Sequence, residues 1–390
     1  MSKKRLLIIT NRYPSGPHDI ASPFVRDFHE ALRKQGIDID IVTPYYKPFR
    51  NDTRYIDDSV HLFQWSDGNR VISQLPLYNP VSYSKIVKYF RNGYKTAEKI
   101  MRERNFTAIL ALWALPSGYI ANRLSEKYGI PYGVWALGSD INSWAHFPVL
   151  GSLTSKVLRG AHALFADGYE LALKVQALSA RECRFIPSFH NLDFGRGIFE
   201  EEQNVFLTVG RIEREKGVFD LLEAFRLFAQ KIHGWQLYYA GSGRAEIKLW
   251  KKVVDYGLAD SVECYGHLEQ KAVNHLLSLS TAVIIPSHSD SLPLTFGEAM
   301  QAGKPVITSE IGDMPHFVDK YQVGYHYPVG DIVALAGKME MMTSNRDNFS
   351  LNCRKVLAEL DIDNSAQVVS AWLDTLIGPN IGVKHEYARS

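Results

Sequence analysis

Apolar residues recur along this chain in short, nearly continuous runs, and between the runs the spacing shifts to that of helices with one buried face. Leu6–Thr10, Ile37–Thr43, Ala108–Leu115, Tyr132–Leu137, Ala163–Ala166 and Arg184–Pro187 read as strands covered on both faces. Between them, Phe24–Lys34 repeats Phe24, Phe28, Ala31 and Leu32 at helical intervals. Ser84–Arg104 and Tyr169–Leu178 read as helices too. The pattern then begins again: Val205–Val209, a helix through Phe219, Leu222, Phe225 and Phe228, and further strands at Gln236–Gly241, before His267, at Ala282–Pro286 and at Val306-Ile307. Strand, helix, strand is the unit of a parallel sheet, so the expected class is α/β with two Rossmann-like, doubly wound domains. Pro187–Asn204, with Gly195, Gly197 and the acidic Glu200–Glu202, reads as the linker. The expected boundaries are 1–197 and 198–364. A last helix, about 365–390, is capped by Asp363-Asn364-Ser365 and carries Val368, Val369, Trp372 and Leu376.

One stretch organises the second half. Ala282–Pro286 leads into Ser287-His288-Ser289-Asp290-Ser291-Leu292-Pro293, and a helix from there closes at Gly303-Lys304-Pro305. Pro293 suits a helix start and Gly303 a helix end, with no cation in the first turn. The amides of Leu294 and Thr295 then lie at a positive helix end, a place for phosphate at the carboxyl edge of a parallel sheet. Glu298 follows one turn later on the same side, and its carboxylate suits the two hydroxyls of a ribose.

Asp290 and Glu298, with Gly297, Ala299 and Gly303-Lys304-Pro305-Val306, resemble the E-x7-E signature of the retaining GT-B glycosyltransferases, family 4 (glycosyltransferase group 1). The family's first Glu, usually followed by Gly, is here Asp290 followed by Ser291. Val205–Gly210-Arg211, then Lys216-Gly217 and a helix, is a second family motif. Gly241-Ser242-Gly243 is similar to its Ala-Gly-x-Gly turn, and Gly312-Asp313-Met314-Pro315 to its Gly-Gly-x-Pro. Val134–Asp140 resembles the strand ending in His-Gly-x-Asp, with Leu137 where the His commonly stands; a leucine neither donates to a sugar hydroxyl nor moves a proton.

The resemblance implies two domains facing across a cleft, an acceptor-binding first domain, a donor-binding second domain and a terminal helix crossing back to the first. It implies Arg211, Lys216 and Asp290 as catalytic residues. For donor binding it implies Glu298, Leu294, Thr295, Ser291, Gly210, Gly241, Gly266, His267, Asp140 and Gly16. Gly16 is what remains of a Gly-Gly pair, and an ordinary strand-to-helix turn accounts for it equally well. The implied reaction moves a hexosyl unit, with retention, from a nucleotide-diphosphate sugar to a glycan or lipid-linked glycan. No metal or other cofactor is expected: the two Asp-x-Asp pairs, Asp38–Asp40 and Asp361–Asp363, fall at a buried strand and a capping turn. Alternatives are a nucleotide-sugar epimerase of the same architecture and a non-catalytic nucleotide-sugar-binding protein.

Composition narrows the field. The 390 residues exceed one ordinary core, and 46% apolar against 22% charged residues suits globular domains. A net charge of +2 excludes bulk nucleic-acid affinity. Three scattered cysteines, Cys183, Cys264 and Cys353, outline no zinc site and point to a cytoplasmic compartment. The first apolar run is too short for a secretion signal, and no stretch is long enough to span a bilayer. Lys85, Lys88, Arg91, Lys95, Lys99 and Arg102 recur along the helix at 84–104, which reads either as a solvated face or as a peripheral contact with the anionic inner face of a membrane. Trp113, Trp135, Trp144, Tyr45 and Tyr46 offer aromatic faces to a sugar, although core positions account for Trp113 and Trp135. His146 reads as a structural loop residue.

Overall fold

The computed structural model describes residues 4–14, 16, 22–46, 56–66, 72, 75, 80–142, 148–190, 192 and 203–377. Its contacts divide the chain into two units: Met1–Ala166 with Ala172–Ile186 and Ile362–Ser390, and Asp167–Leu171 with Pro187–Asp361. Trp144, His146, the expected join at 197/198 and the end of the last helix lie outside the described residues.

The first unit carries β1 (Arg5–Ile9), α1 (Phe24–Lys34), β2 (Asp38–Pro44), β3 (Val60–Phe63), α2 (Pro80–Glu103), β4 (Ala108–Leu112), α3 (Ser117–Tyr128), β5 (Tyr132–Ala136), α4 (Ser139–Asn142), α5 (Pro148–Gly160), β6 (Ala163–Ala166), most of α6 (Tyr169–Ser179) and β7 (Arg184–Phe185). Its sheet is parallel throughout, in the order β3-β2-β1-β4-β5-β6-β7. The second unit carries β8 (Val205–Val209), α7 (Val218–Ala229), β9 (Gln236–Ala240), α8 (Glu246–Asp255), β10 (Val262–Gly266), α9 (Gln270–Leu279), β11 (Ala282–Ile285), α10 (Leu294–Gln301), β12 (Val306–Ser309), α11 (Met314–Tyr321), β13 (Gly324–Tyr327) and α12 (Ile332–Leu360). Its parallel order is β10-β9-β8-β11-β12-β13. Both orders reverse once, between β1 and β4 and between β8 and β11. At such a switch point the neighbouring loops diverge and leave a crevice beyond the strand ends.

α13 (Ile362–Ile377) follows α12 after the single residue Asp361 and belongs to the first unit, as expected of the last helix. It packs on α1, and Ile362, Ala366, Val369, Trp372 and Leu373 join the core formed by β1, β2, β4 and α1. Gly133 of β5 makes room for it: an added Cβ there would lie 3.1 Å from the Trp372 ring. Lys4 fixes the helix from outside, reaching Asp374 at 2.7 Å and Ser370 Oγ at 3.1 Å. The other core gathers Phe206, Leu222, Phe225, Phe228, Trp235, Leu237, Ile284 and Ile307 with Leu335, Met339 and Met342 of α12.

Among the described residues, no helix is long and apolar enough to cross a membrane. Asp40 is buried, and its Oδ1 is held by His61 Nε2 at 2.8 Å and by Arg104 at 2.7 Å, contacts of a structural kind.

Removing the indole that α13 inserts should leave a large cavity. Trp372→Ala is expected to cost about 3 kcal/mol and to lower the melting temperature of the first unit by roughly 10 °C, read by calorimetry.

Candidate active site

The loops that follow β8, β9 and β11 approach one another main chain to main chain at glycines. Gly210 leaves β8 at φ +146° and its N–H donates to Ala240 O at 2.9 Å; a Cβ on Gly241 would sit 1.8 Å from Gly210 O. Gly217, at φ +65°, presses its Cα against Pro286, where an added Cβ would meet the carbonyl at 1.8 Å. His288 continues the union: its N–H donates to Glu215 O at 2.8 Å and its ring meets Asp220 at 2.6 Å. The nucleating residues are therefore glycines, for which φ > 0 carries no Cβ penalty.

That union brings Lys216 to Asp290. The ammonium donates to both carboxylate oxygens, at 2.8 and 2.6 Å, and both side chains remain about one-fifth exposed. The shorter Asp at this position thus serves as a bidentate acceptor for the lysine. Arg211, next to Gly210, is exposed, with no ion-pair partner among the described residues.

α10 begins as its residues dictate. Pro293 is extended at φ −64°, ψ 142°, and no side chain caps the helix. Phe296 N–H closes on Pro293 O at 2.9 Å, leaving the amides of Leu294 and Thr295 at a bare N-terminus. Thr295 Oγ1 donates to Val209 O at 3.1 Å, which pins the helix tip to the end of β8. Gly303, at φ +68°, ends the helix and donates to Met300 O at 3.1 Å. Ser291 lies beside this tip; its carbonyl accepts from Asp313 N–H at 3.0 Å, and Gly312 is the glycine that allows the approach.

Glu298 is buried in the middle of α10, and burial pushes its carboxyl up to about 7, with Gln270 pulling the other way. His190 stands beside it, a residue that sequence reasoning missed. Its Nε2 lies 3.6 Å from Glu298 Oε1, too far for a hydrogen bond. Both ring nitrogens are buried without a hydrogen-bond partner among the described residues, and burial lowers the ring to about 4. Main-chain contacts put it there: Gln301 Nε2 donates to His190 O at 2.7 Å and Gln301 Oε1 accepts from Leu192 N–H at 2.7 Å. Gly297 allows the segment to lie against α10, since a Cβ there would be 2.0 Å from the Phe189 ring. The only sequence signal was that absent side chain.

Gly266, at φ +65°, is bridged to Gly241, and His267 beyond it is exposed. The ends of β10, β9, β8 and β11 therefore form a row, and all the expected donor-binding residues except Asp140 and Gly16 stand along it. Those two belong to the first unit. Asp140 is 1% exposed; it accepts from Ala114 N–H at 2.6 Å and Leu137 N–H at 3.3 Å, so it braces two strand ends. Among the described residues nothing lies within 4 Å of a Cβ placed on Gly16, so none of them demands a glycine there.

Residues 191–356 match the family described as glycosyl transferases group 1. That segment is similar to the group 1 glycosyltransferases, and with the named relatives below it marks the chain as a glycosyltransferase. It is 25% identical over 342 residues to TuaC of Bacillus subtilis strain 168, a glycosyltransferase named for teichuronic acid biosynthesis, covering 82% of this chain and 84% of that one. Sucrose-phosphate synthase from Thermosynechococcus elongatus superposes with a TM-score of 0.75 at 19% identity, covering 96% of this chain and 99% of that one. Anabaena HepE in complex with UDP gives 0.72 at 14% identity, with 95% and 100% covered. The two parallel sheets of this glycosyltransferase are those of the GT-B architecture.

The Glu298 carboxyl binds its proton more readily in the folded chain than at its ordinary value of 4.5, so its contribution to stability is complete below that value and is lost as pH rises through about 7. In the absence of nucleotide, the melting temperature should therefore fall between pH 5 and pH 8, and Glu298→Gln should flatten that slope. An unchanged slope in the variant would place the titration elsewhere.

Proposed function

We propose that this glycosyltransferase moves a hexosyl unit from a nucleotide-diphosphate sugar to a glycan or lipid-linked glycan, with retention and without a metal ion. The observation that carries the donor half is the row at the β8/β11 switch point: Arg211 exposed, Lys216 held by Asp290, and an uncapped helix tip, all beyond the carboxyl ends of parallel strands. Negative charge grows on the leaving diphosphate as the sugar-phosphate bond breaks through an oxocarbenium-like state. Fixed cations and helix amides stabilise that state more than the bound substrate. Glu298, one turn inside the helix, holds the ribose hydroxyls as an acceptor, and Gly266-His267 receives the base. In this reading Asp290 acts through Lys216, keeping the ammonium aimed. HepE, seen with UDP, and TuaC, named for teichuronic acid biosynthesis, support the donor and acceptor classes.

The lipid-linked acceptor is supported by α2. Lys88, Arg91, Lys95, Lys99 and Arg102 are exposed along it, and Val81, Tyr83 and Val87 are exposed at its start, 48–66% accessible. Basic residues beside exposed apolar ones suit an anionic bilayer surface.

A thermal-shift panel of nucleotides and nucleotide sugars should show a rise with one nucleoside diphosphate and its sugars. Arg211→Ala should lower kcat/KM by about 100-fold or more, measured as diphosphate release with acceptor present; unchanged turnover would discredit this phosphate site. Replacing Lys88, Arg91 and Lys95 together by Gln should weaken binding to phosphatidylglycerol vesicles by roughly two orders of magnitude, at about 1 kcal/mol for each charge. Equal sedimentation of both forms would end the membrane reading.

A further inference from the structure

Trp113 carries an unusual backbone. Four non-glycine residues among those described have positive φ. Ala180 and Gln322 follow the helices α6 and α11, where left-handed ends are ordinary, and Ser22 is small. Trp113 is bulky, follows a strand and sits at φ +73°, which is an outlier for such a residue. Conformations of this kind persist only where the surroundings impose them, and they gather at binding sites.

The surroundings here do impose it. Trp113 N–H donates to Trp135 O at 2.8 Å, its carbonyl accepts from Gly118 N–H at 3.1 Å, and the next amide, of Ala114, is taken by the buried Asp140 at 2.6 Å. Asn11, after β1, donates to Leu115 O at 3.2 Å and accepts from Ser117 Oγ at 2.7 Å, tying the loops after β1 and β4 together. Those two loops flank the switch point of the first sheet, where a doubly wound domain leaves its crevice. The indole itself is half-buried. It leans on the same core as Phe24, 6.5 Å away, and as Leu137, which stands where the resembled motif commonly has a histidine.

We infer that Trp113 is the platform on which the acceptor's sugar ring stacks, its strained backbone holding the indole at the crevice of the first sheet. A pyranose offers one apolar C–H face, which an aromatic plane covers while the hydroxyls stay available. Leu137 extends that apolar floor. The inference rests on the transferase reading but not on the donor site proposed above.

The test uses the full chain with UDP or GDP, whichever stabilises it, and saturation-transfer difference NMR with methyl α-D-glucopyranoside, methyl α-D-galactopyranoside and methyl N-acetyl-α-D-glucosaminide. Trp113→Asn removes the ring while accepting the left-handed backbone, and Trp113→Phe keeps an aromatic face. The ring C–H signals of at least one probe should fall at least fivefold in Trp113→Asn and less than twofold in Trp113→Phe, with the nucleotide thermal shift unchanged in both. Equal signals in wild type and Trp113→Asn, or no signal from any probe with the wild type, would overturn the assignment. A wild type that no nucleotide stabilises would instead count against the donor site.

Discussion

The contact between Gly217 and the carbonyl of Pro286 is the constraint from which the rest of the second unit's site follows. It sets how closely the loop after β8 can approach the loop after β11, and only a residue without Cβ permits that distance. Once the loops touch, His288 has Glu215 O within reach and Lys216 has Asp290. The length of the first carboxylate matters here. An Asp reaches the lysine with both oxygens, so the pair is part of how the loops close as well as what they present. A partly exposed ion pair of this kind adds little to stability, and its worth lies in where it points the ammonium.

The same geometry explains why Glu298 can be buried. α10 is fixed at its tip by Thr295 on Val209 O and at its flank by Gln301 on the segment that carries His190, so its middle turn faces protein on every side. A carboxyl there, beside a neutral imidazole that finds no hydrogen bond among the described residues, is costly as an anion and inexpensive as an acid. Two hydroxyls donating to it would reverse that balance, because hydrogen bonds to the charged form favour it. On the proposed reading, the ribose hydroxyls would supply those hydrogen bonds to Glu298.

Much of this was legible in the residues. α10 was expected between Pro293 and Gly303 and runs Leu294–Gln301, because both ends carry residues with one conformational meaning. The parallel sheets were legible because strands buried on both faces appear as unbroken apolar runs. β3 was not: Val60–Phe63 is a four-residue edge strand with His61 in the middle, so no run announces it. α12 escaped because its 29 residues carry no single stripe; they pack on α7, α10 and α11 in turn. At the site, the glycines and charges could be listed but not paired. Lys216 and Asp290 are 74 positions apart, and His190 lies in what read as linker. Proximity across such separations is a property of the sheet order, which composition does not express.

Asp140 shows how a motif residue changes meaning once its partners are visible. Its position at the end of β5 suggested a group that reaches a ligand, yet both oxygens are spent on main-chain amides, one of them in the loop after β4. Burial then pushes the carboxyl up to about 6, opposed by those amides. An anion that accepts several backbone N–H groups acts as a fixed knot, and here it secures the peptide that follows Trp113. The two units thus treat their switch points in different ways. In the second, glycines remove bulk so that loops meet and polar groups converge. In the first, a buried acid holds an aromatic residue in a conformation it would not choose, and Leu137 keeps the neighbouring surface apolar. On the proposed reading, charge would select at one crevice and shape at the other, a division of labour suited to gripping a diphosphate and a sugar by different chemistry.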